Sequence, residues 1–159
     1  SATEPYLVEI APALAQIHRS TGARVEMISG PGPVPGALAP FTTKLEWSLG
    51  VSTKLAEWDV GIMPLRDGVY ERAKCGYKLL QYAASGVPAV AAPVGVNARL
   101  LDDMDGLAAT GLDDWAGALA AVLAEPATRR ADRARRGLAV AAANSYEAWE
   151  SVWVDAVGW

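Results

Sequence analysis

One cysteine, Cys75, one histidine, His18, and one phenylalanine occur among the 159 residues. A single cysteine excludes an internal disulfide and a cysteine-based zinc site, and it fits a reducing compartment. No stretch approaches the roughly 18 consecutive apolar residues of a membrane span. The opening Ser-Ala-Thr-Glu-Pro has no basic region followed by an apolar run, so no signal peptide is expected and the expected location is cytoplasmic. Positive charge is also scarce. Fourteen Lys and Arg face 18 Asp and Glu, and the net charge of −4 argues against a general nucleic-acid binder. No repeat or low-complexity tract is present.

What is present fits one globular unit. Apolar residues make up 52% and charged residues 20%, and a chain of this length sustains one good core, so residues 1–159 are read as a single domain. Thr3 is placed to cap a first helix, with Glu4 near its positive end. Tyr6, Ile10, Leu14 and Ile17 form its apolar stripe, and Pro12 should kink it or split it in two. Gly22 ends it. Residues 24–28 read as a short strand, 29–40 as a Gly/Pro loop, 42–47 as extended, and 52–58 as a short helix beginning at Ser52. The run Asp-Val-Gly-Ile-Met-Pro-Leu at 59–65 is nearly all apolar, the mark of a buried parallel strand. A charged loop at 66–73 leads to a helix at 75–85. Gly86 stands where a helix takes its left-handed stop, and 87–92 form another apolar strand. A loop at 93–97, a short helix to Leu101 and a small edge strand at 107–109 follow. Asp113 or Asp114 is expected to cap a helix to about Ala124, Pro126 to open another, and Ser145 to cap the last. Strands alternating with helices imply a parallel sheet with right-handed crossovers.

In open parallel sheets, ligands bind beyond the carboxyl ends of the strands. Two such ends lie close in sequence, at Pro64-Leu65 and at Ala92-Pro93. The helix after the first begins near Gly76, where unpaired amides favour an anion and a glycine lets a ligand approach closely. Arg72, Lys74 and Lys78 add positive charge, and Gln81 lies one turn beyond Lys78. Two readings fit these residues: a diphosphate site, or a helix start with ordinary surface lysines.

The run at 59–65, followed by Lys-Cys-Gly-Tyr-Lys-Leu-Leu-Gln-Tyr-Ala-Ala-Ser-Gly-Val-Pro-Ala-Val-Ala-Ala-Pro-Val-Gly at 74–95, resembles the donor-binding domain of family 4 (group 1) retaining glycosyltransferases, which have the two-domain GT-B fold. Weaker similarity runs along nearly the whole chain. Residues 3–7 resemble the first helix of that domain, 105–108 its short post-site turn and strand, and 126–146 its closing helices. The resemblance implies an α/β chain with a Rossmann-like, doubly wound parallel sheet in three αβα layers. That is one half of a GT-B fold, here lacking its first strand and the N-terminal acceptor-binding domain. It implies a nucleotide diphosphate sugar as substrate, no cofactor, no metal, and an unidentified acceptor. The amides around Gly76 and Tyr77 would face the diphosphate or sugar, with Arg72, Lys74 and Lys78 nearby. Gln81 stands where the family usually has a glutamate that bonds the ribose. Ala73, eight residues earlier, stands where the family has an acid that contacts the sugar. Glu71 is the nearest candidate for that acid, and no other catalytic residue is assigned. Catalysis in a GT-B enzyme occurs between two domains, so this polypeptide alone is expected to be inactive. The alternative is a non-catalytic interaction module on a degenerate transferase scaffold, motivated by Ala73, Gln81 and the tryptophan-rich end. A flavodoxin-like binder is a third doubly wound possibility, with no residue specifically indicating a flavin.

Several features are better read as structure. The glycines and prolines at 30–36 follow a strand, but their spacing is wrong for a dinucleotide loop, and three prolines lack the amides a pyrophosphate needs. His18 reads as a helix-end cation, Cys75 as a packing residue, and Asp102, Asp103 and Asp105 as a solvated turn. Arg129, Arg130, Arg133, Arg135 and Arg136 read as the solvated face of a helix. Trp149, Trp153 and Trp159 crowd the last helix, at about 146–157. Either that helix packs toward the absent domain, leaving an exposed surface prone to self-association, or the rings complete this domain's core.

Overall fold

The computed structural model describes residues 4–158, so the expected cap Thr3 and Trp159 lie outside it. The first helix is split, as its proline predicts. Helix α1 spans Glu4–Glu9 and α2 spans Ala11–Thr21, with Pro12 in the first turn of α2, where its missing N–H costs nothing. Gly22, at φ 75°, closes α2 and donates its N–H to the His18 carbonyl. Strand β1 (Val25–Ser29) pairs in parallel with β2 (Thr42–Glu46). The Gly/Pro loop between them is more than a connection, since Leu38 at its end is fully buried.

The short helix expected at 52–58 is present as a 3-10 helix, Val51–Glu57. Thr53 donates its hydroxyl to the Gly50 carbonyl at 2.9 Å, the kind of local bond that competes with α-helical pairing. Strand β3 is only Gly61–Met63, shorter than residues 59–65, because Pro64 has no N–H to extend the ladder. The expected loop at 66–73 contains one helical turn, α3 (Val69–Arg72). Helix α4 is Tyr77–Ala84, starting two residues later than expected because Gly76 takes a left-handed conformation, φ 69°. Then come β4 (Ala89–Ala91), α5 (Asn97–Met104), β5 (Leu107–Ala108), α6 (Leu112–Leu123), α7 (Ala127–Ala143) and α8 (Tyr146–Val157). Helix α5 continues past Leu101 to a left-handed Asp105. Neither Asp113 nor Asp114 caps α6, since the cap position is Gly111. Asp114 sits one turn inside and reaches back to the Thr110 hydroxyl at 2.6 Å and to the amides of Thr110 and Gly111.

All strand pairs are parallel, and the second sheet runs in the order β3-β4-β5. Alternation sends side chains into two apolar layers. Val60, Ile62, Val90 and Leu107 join Leu14, Ile17, Trp115 and Leu119 on the α2/α6 side. Met63, Ala89 and Ala91 join Leu79, Leu100 and Leu101 on the α4/α5 side. Gly61 belongs to this second face, where any Cβ would overlap the Tyr82 ring. Strand β1 feeds both layers, Val25 into the first and Ile28 into the second. The result is an α/β chain with helices on both faces of parallel strands. The strands nevertheless form two sheets. Besides this shared packing, a side-chain bond crosses the break, in which Trp58 Nε1 donates to the Glu26 carboxylate at 2.6 Å.

Helix α7 packs outside α4 and α5. Its arginines are not simply a solvated face. Arg133 is buried, and Arg129 and Arg130 pair with Asp105 and Asp59, because these three side chains turn inward onto the ends of neighbouring elements. Arg135 and Arg136 remain exposed. Helix α8 buries no residue, so Trp149 and Trp153 do not complete the core. No helix among the described residues is long and apolar enough to cross a membrane.

Candidate functional site

The ends of β3 and β4 are held together by Asn97, the first residue of α5. Its Nδ2 donates to the Ala92 carbonyl at 3.2 Å and lies 3.6 Å from Met63 Sδ. Beyond these ends two loops touch. Gly95, at φ 58°, lies so close to residue 72 that an added Cβ would come 2.5 Å from the Arg72 carbonyl oxygen. Gly76 seats the start of α4 against α5 in the same way, since a Cβ there would meet Leu100, Val96 and Asn97. The sequence reading of Gly76 as a place for close approach is thus met partly by the protein itself. The neighbour it admits is α5.

Helix α4 begins beside this junction, where the Leu79 and Leu80 amides donate to the Gly76 carbonyl at 2.9 and 3.3 Å and the earlier amides lie at the open end of the helix. Tyr77, Lys78 and Gln81 fall on one side of the helix at positions one, two and five, while Leu79, Tyr82 and Ala83 face the core. Tyr77 is exposed, and Lys78 and Gln81 are half-buried. Burial, with the nearby Lys74 ammonium second, holds the Lys78 ammonium below the usual lysine range. An anion arriving there would favour the charged ammonium and so offset both effects.

Four charged side chains of the preceding loop have partners within the protein. Arg72 makes a two-pronged bond to Asp67, Nε to Oδ1 at 2.6 Å and Nη2 to Oδ2 at 2.9 Å. The Arg72 guanidinium holds the Asp67 carboxyl below its usual range. Glu71 accepts from the Tyr6 hydroxyl, the main reason its carboxyl is held low. Lys74 lies over two rings, 4.9 Å from the centre of Tyr6 and 5.1 Å from that of Tyr70. Arg66 pairs with Glu9. The loop between β3 and α4 is therefore strapped onto α1. This role of Tyr6 was not legible in the sequence, where it counts only as one member of an apolar stripe. Tyr70 and Asn97 carried no local signal either, since each acquires its role from residues distant in the chain.

The structural readings fare differently from one another. His18 is in the last turn of α2, where Nδ1 contacts the Ala23 carbonyl at 2.8 Å and the ring stacks on Phe41. Cys75 is exposed, contrary to its expected packing role, because it precedes the point where α4 begins. Asp105 anchors Arg129 and Arg133. In the Gly/Pro loop, carbonyls are the groups in use. Gly32 O accepts from Lys44 Nζ, and Pro35 O accepts from the amides of Leu38 and Ala39. Two shallow clefts, of about 430 and 370 Å³, lie away from the α4 start, on α7 and α8. Comparison with protein-family models and with curated proteins gives no match.

Proposed function

We propose that this chain is the donor-binding half of a retaining glycosyltransferase, holding the diphosphate of a nucleotide sugar at the start of α4. The observation that carries the proposal is the junction itself. Two parallel strand ends are pinned side by side by Asn97, and the amide end of an eight-residue helix stands over them with a half-buried lysine. In this reading the α4 amides and Lys78 stabilise the departing diphosphate, and Gln81, on the same side of the helix, pairs with ribose hydroxyls. Glu71 accepts from Tyr6, so in this reading it does not stand in for the acid that the resembled family has at position 73.

The test is a thermal-shift panel of UDP, GDP and ADP on the two-domain polypeptide that this reading requires. A nucleotide at about 100 times its Kd should stabilise it by about 2.7 kcal/mol, and Lys78→Ala should remove most of the shift. Absence of stabilisation by every nucleotide would sink the proposal.

One observation favours a second reading, an interaction module on a transferase-like scaffold: α8 presents its aromatic residues to solvent. Turnover of a nucleotide sugar by the two-domain polypeptide would rule that reading out.

A further inference from the structure

Every residue of α8 is exposed. Trp149, Val152, Trp153, Ala156 and Val157 recur at i, i+3, i+4, i+7 and i+8, one apolar stripe on one side. Trp153 is 66% exposed and Val157 57%. The charged residues of the helix, Glu147, Glu150 and Asp155, are all acidic. At its start the helix is tied by the Ser145 cap and by Trp149 Nε1 donating to the Ala143 carbonyl at 3.1 Å. A lone helix of this length is marginal in water, so the stripe calls for a covering surface.

The outer face of α7 has the opposite character. Arg135, Arg136, Leu138, Ala139 and Ala142 are exposed on it. Asp132, Arg135, Arg136 and Ala139 line a shallow cleft of about 430 Å³. Arg135 is held by the exposed Asp132, and exposed pairs of this kind exchange partners at little cost. A small-residue floor between arginines accepts a tryptophan ridge. The guanidinium groups can stack on the rings and pair with flanking carboxylates. Only Asn144 and Ser145 separate α7 from α8, and α8 diverges from its own α7 instead of covering it.

We propose that α8 of one copy packs on the outer face of α7 of a second copy, reciprocally, giving a two-fold dimer. The partner is chosen by charge: an acid-flanked aromatic ridge meets an arginine-flanked alanine floor. Reciprocity repeats the contact, and two patches each about 18 Å long approach the roughly 800 Å² per partner of a standard interface. The proposal does not depend on a nucleotide site, and it competes with the expectation that α8 packs toward an N-terminal domain, since one face cannot serve both.

Sedimentation velocity and light scattering on the full chain test it. The expected mass is twice that of one chain, and high salt should favour the monomer. Trp153→Glu should give a monomer with an unchanged melting profile of the body. The double variant Arg135→Glu/Arg136→Glu should raise the dimer Kd at least about tenfold. Mixing it with Glu147→Lys/Glu150→Lys should restore a mixed dimer. A single-chain mass at every concentration overturns the proposal, whether α8 folds back on its own α7 or serves another protein. A dimer indifferent to the arginine reversals overturns it as well.

Discussion

At the scale of single residues, Tyr82 ties the candidate site to the core. Its ring lies against Gly61, its hydroxyl donates to the Ile62 carbonyl at 3.0 Å, and burial pushes its pKa up to about 12. A buried phenol resists ionisation while the unfolded chain ionises near pH 10. The folded state thus keeps a proton that the unfolded state loses. The associated stability is fully present below pH 10 and is lost as pH rises from 10 through 12. A shift of this size corresponds to roughly 2–3 kcal/mol. Urea midpoints at pH 9 and pH 11.5 should therefore fall more steeply for the native protein than for Tyr82→Phe. Equal slopes would show that Tyr82 does not govern alkaline stability. The sequence marks residue 82 as one of several packing positions on α4. It cannot show that the hydroxyl finds a carbonyl 20 positions back, because that bond depends on how α4 crosses β3.

At the scale of elements, two helical glycines should behave in opposite ways. Gly137 lies where α7 crosses α4, and an added Cβ would stand 3.3 Å from Ala83 Cα. Gly137→Leu should push the helices apart and cost about 1–3 kcal/mol. Gly117 lies inside α6 with nothing within 4 Å of an added Cβ. Gly117→Ala should stabilise by about 0.5–1 kcal/mol, since alanine restricts the unfolded chain and favours the helix. Chemical unfolding of both variants checks the pair, and two changes of the same sign would contradict the packing described. Helix existence was legible at α2 from its apolar stripe, at α4 from the Gly86 stop, and at α6, α7 and α8 from the residues expected to open them. Element ends were less so. They were set by Gly76, Gly111 and Pro64, whose effects depend on backbone conformation and on pairing across the sheet.

At the scale of the whole molecule, Arg133 joins three elements. Its guanidinium pairs with Glu125 after α6, at 2.8 Å, and with Asp105 after α5, at 3.4 Å. Arg133 is 6% exposed, so removing it would strand the Glu125 carboxylate, itself only 12% exposed. Arg133→Met should cost about 3–5 kcal/mol, and Arg133→Met with Glu125→Leu should recover much of that loss. Urea unfolding of the single and double variants measures both. If the single variant is neutral, this ion cluster does not lock α7 to the body.

The sequence by itself determined the α/β class, the parallel pairing and the position of the chain's chemical residues at a strand end and a helix start. These are local or short-period properties: apolar runs, helical stripes and glycine stops. Tertiary structure decided where those residues sit and which partners the loop residues take. Arg72, Glu71 and Lys74 are engaged by Asp67, Tyr6 and Tyr70, while Lys78 and Gln81 stay beside the α4 start. It also decided that the strands divide into two sheets and that the tryptophans of α8 face outward. Hydrogen bonds and ion pairs between distant residues form only when the packed layers bring them together, so no local pattern in the chain could specify them.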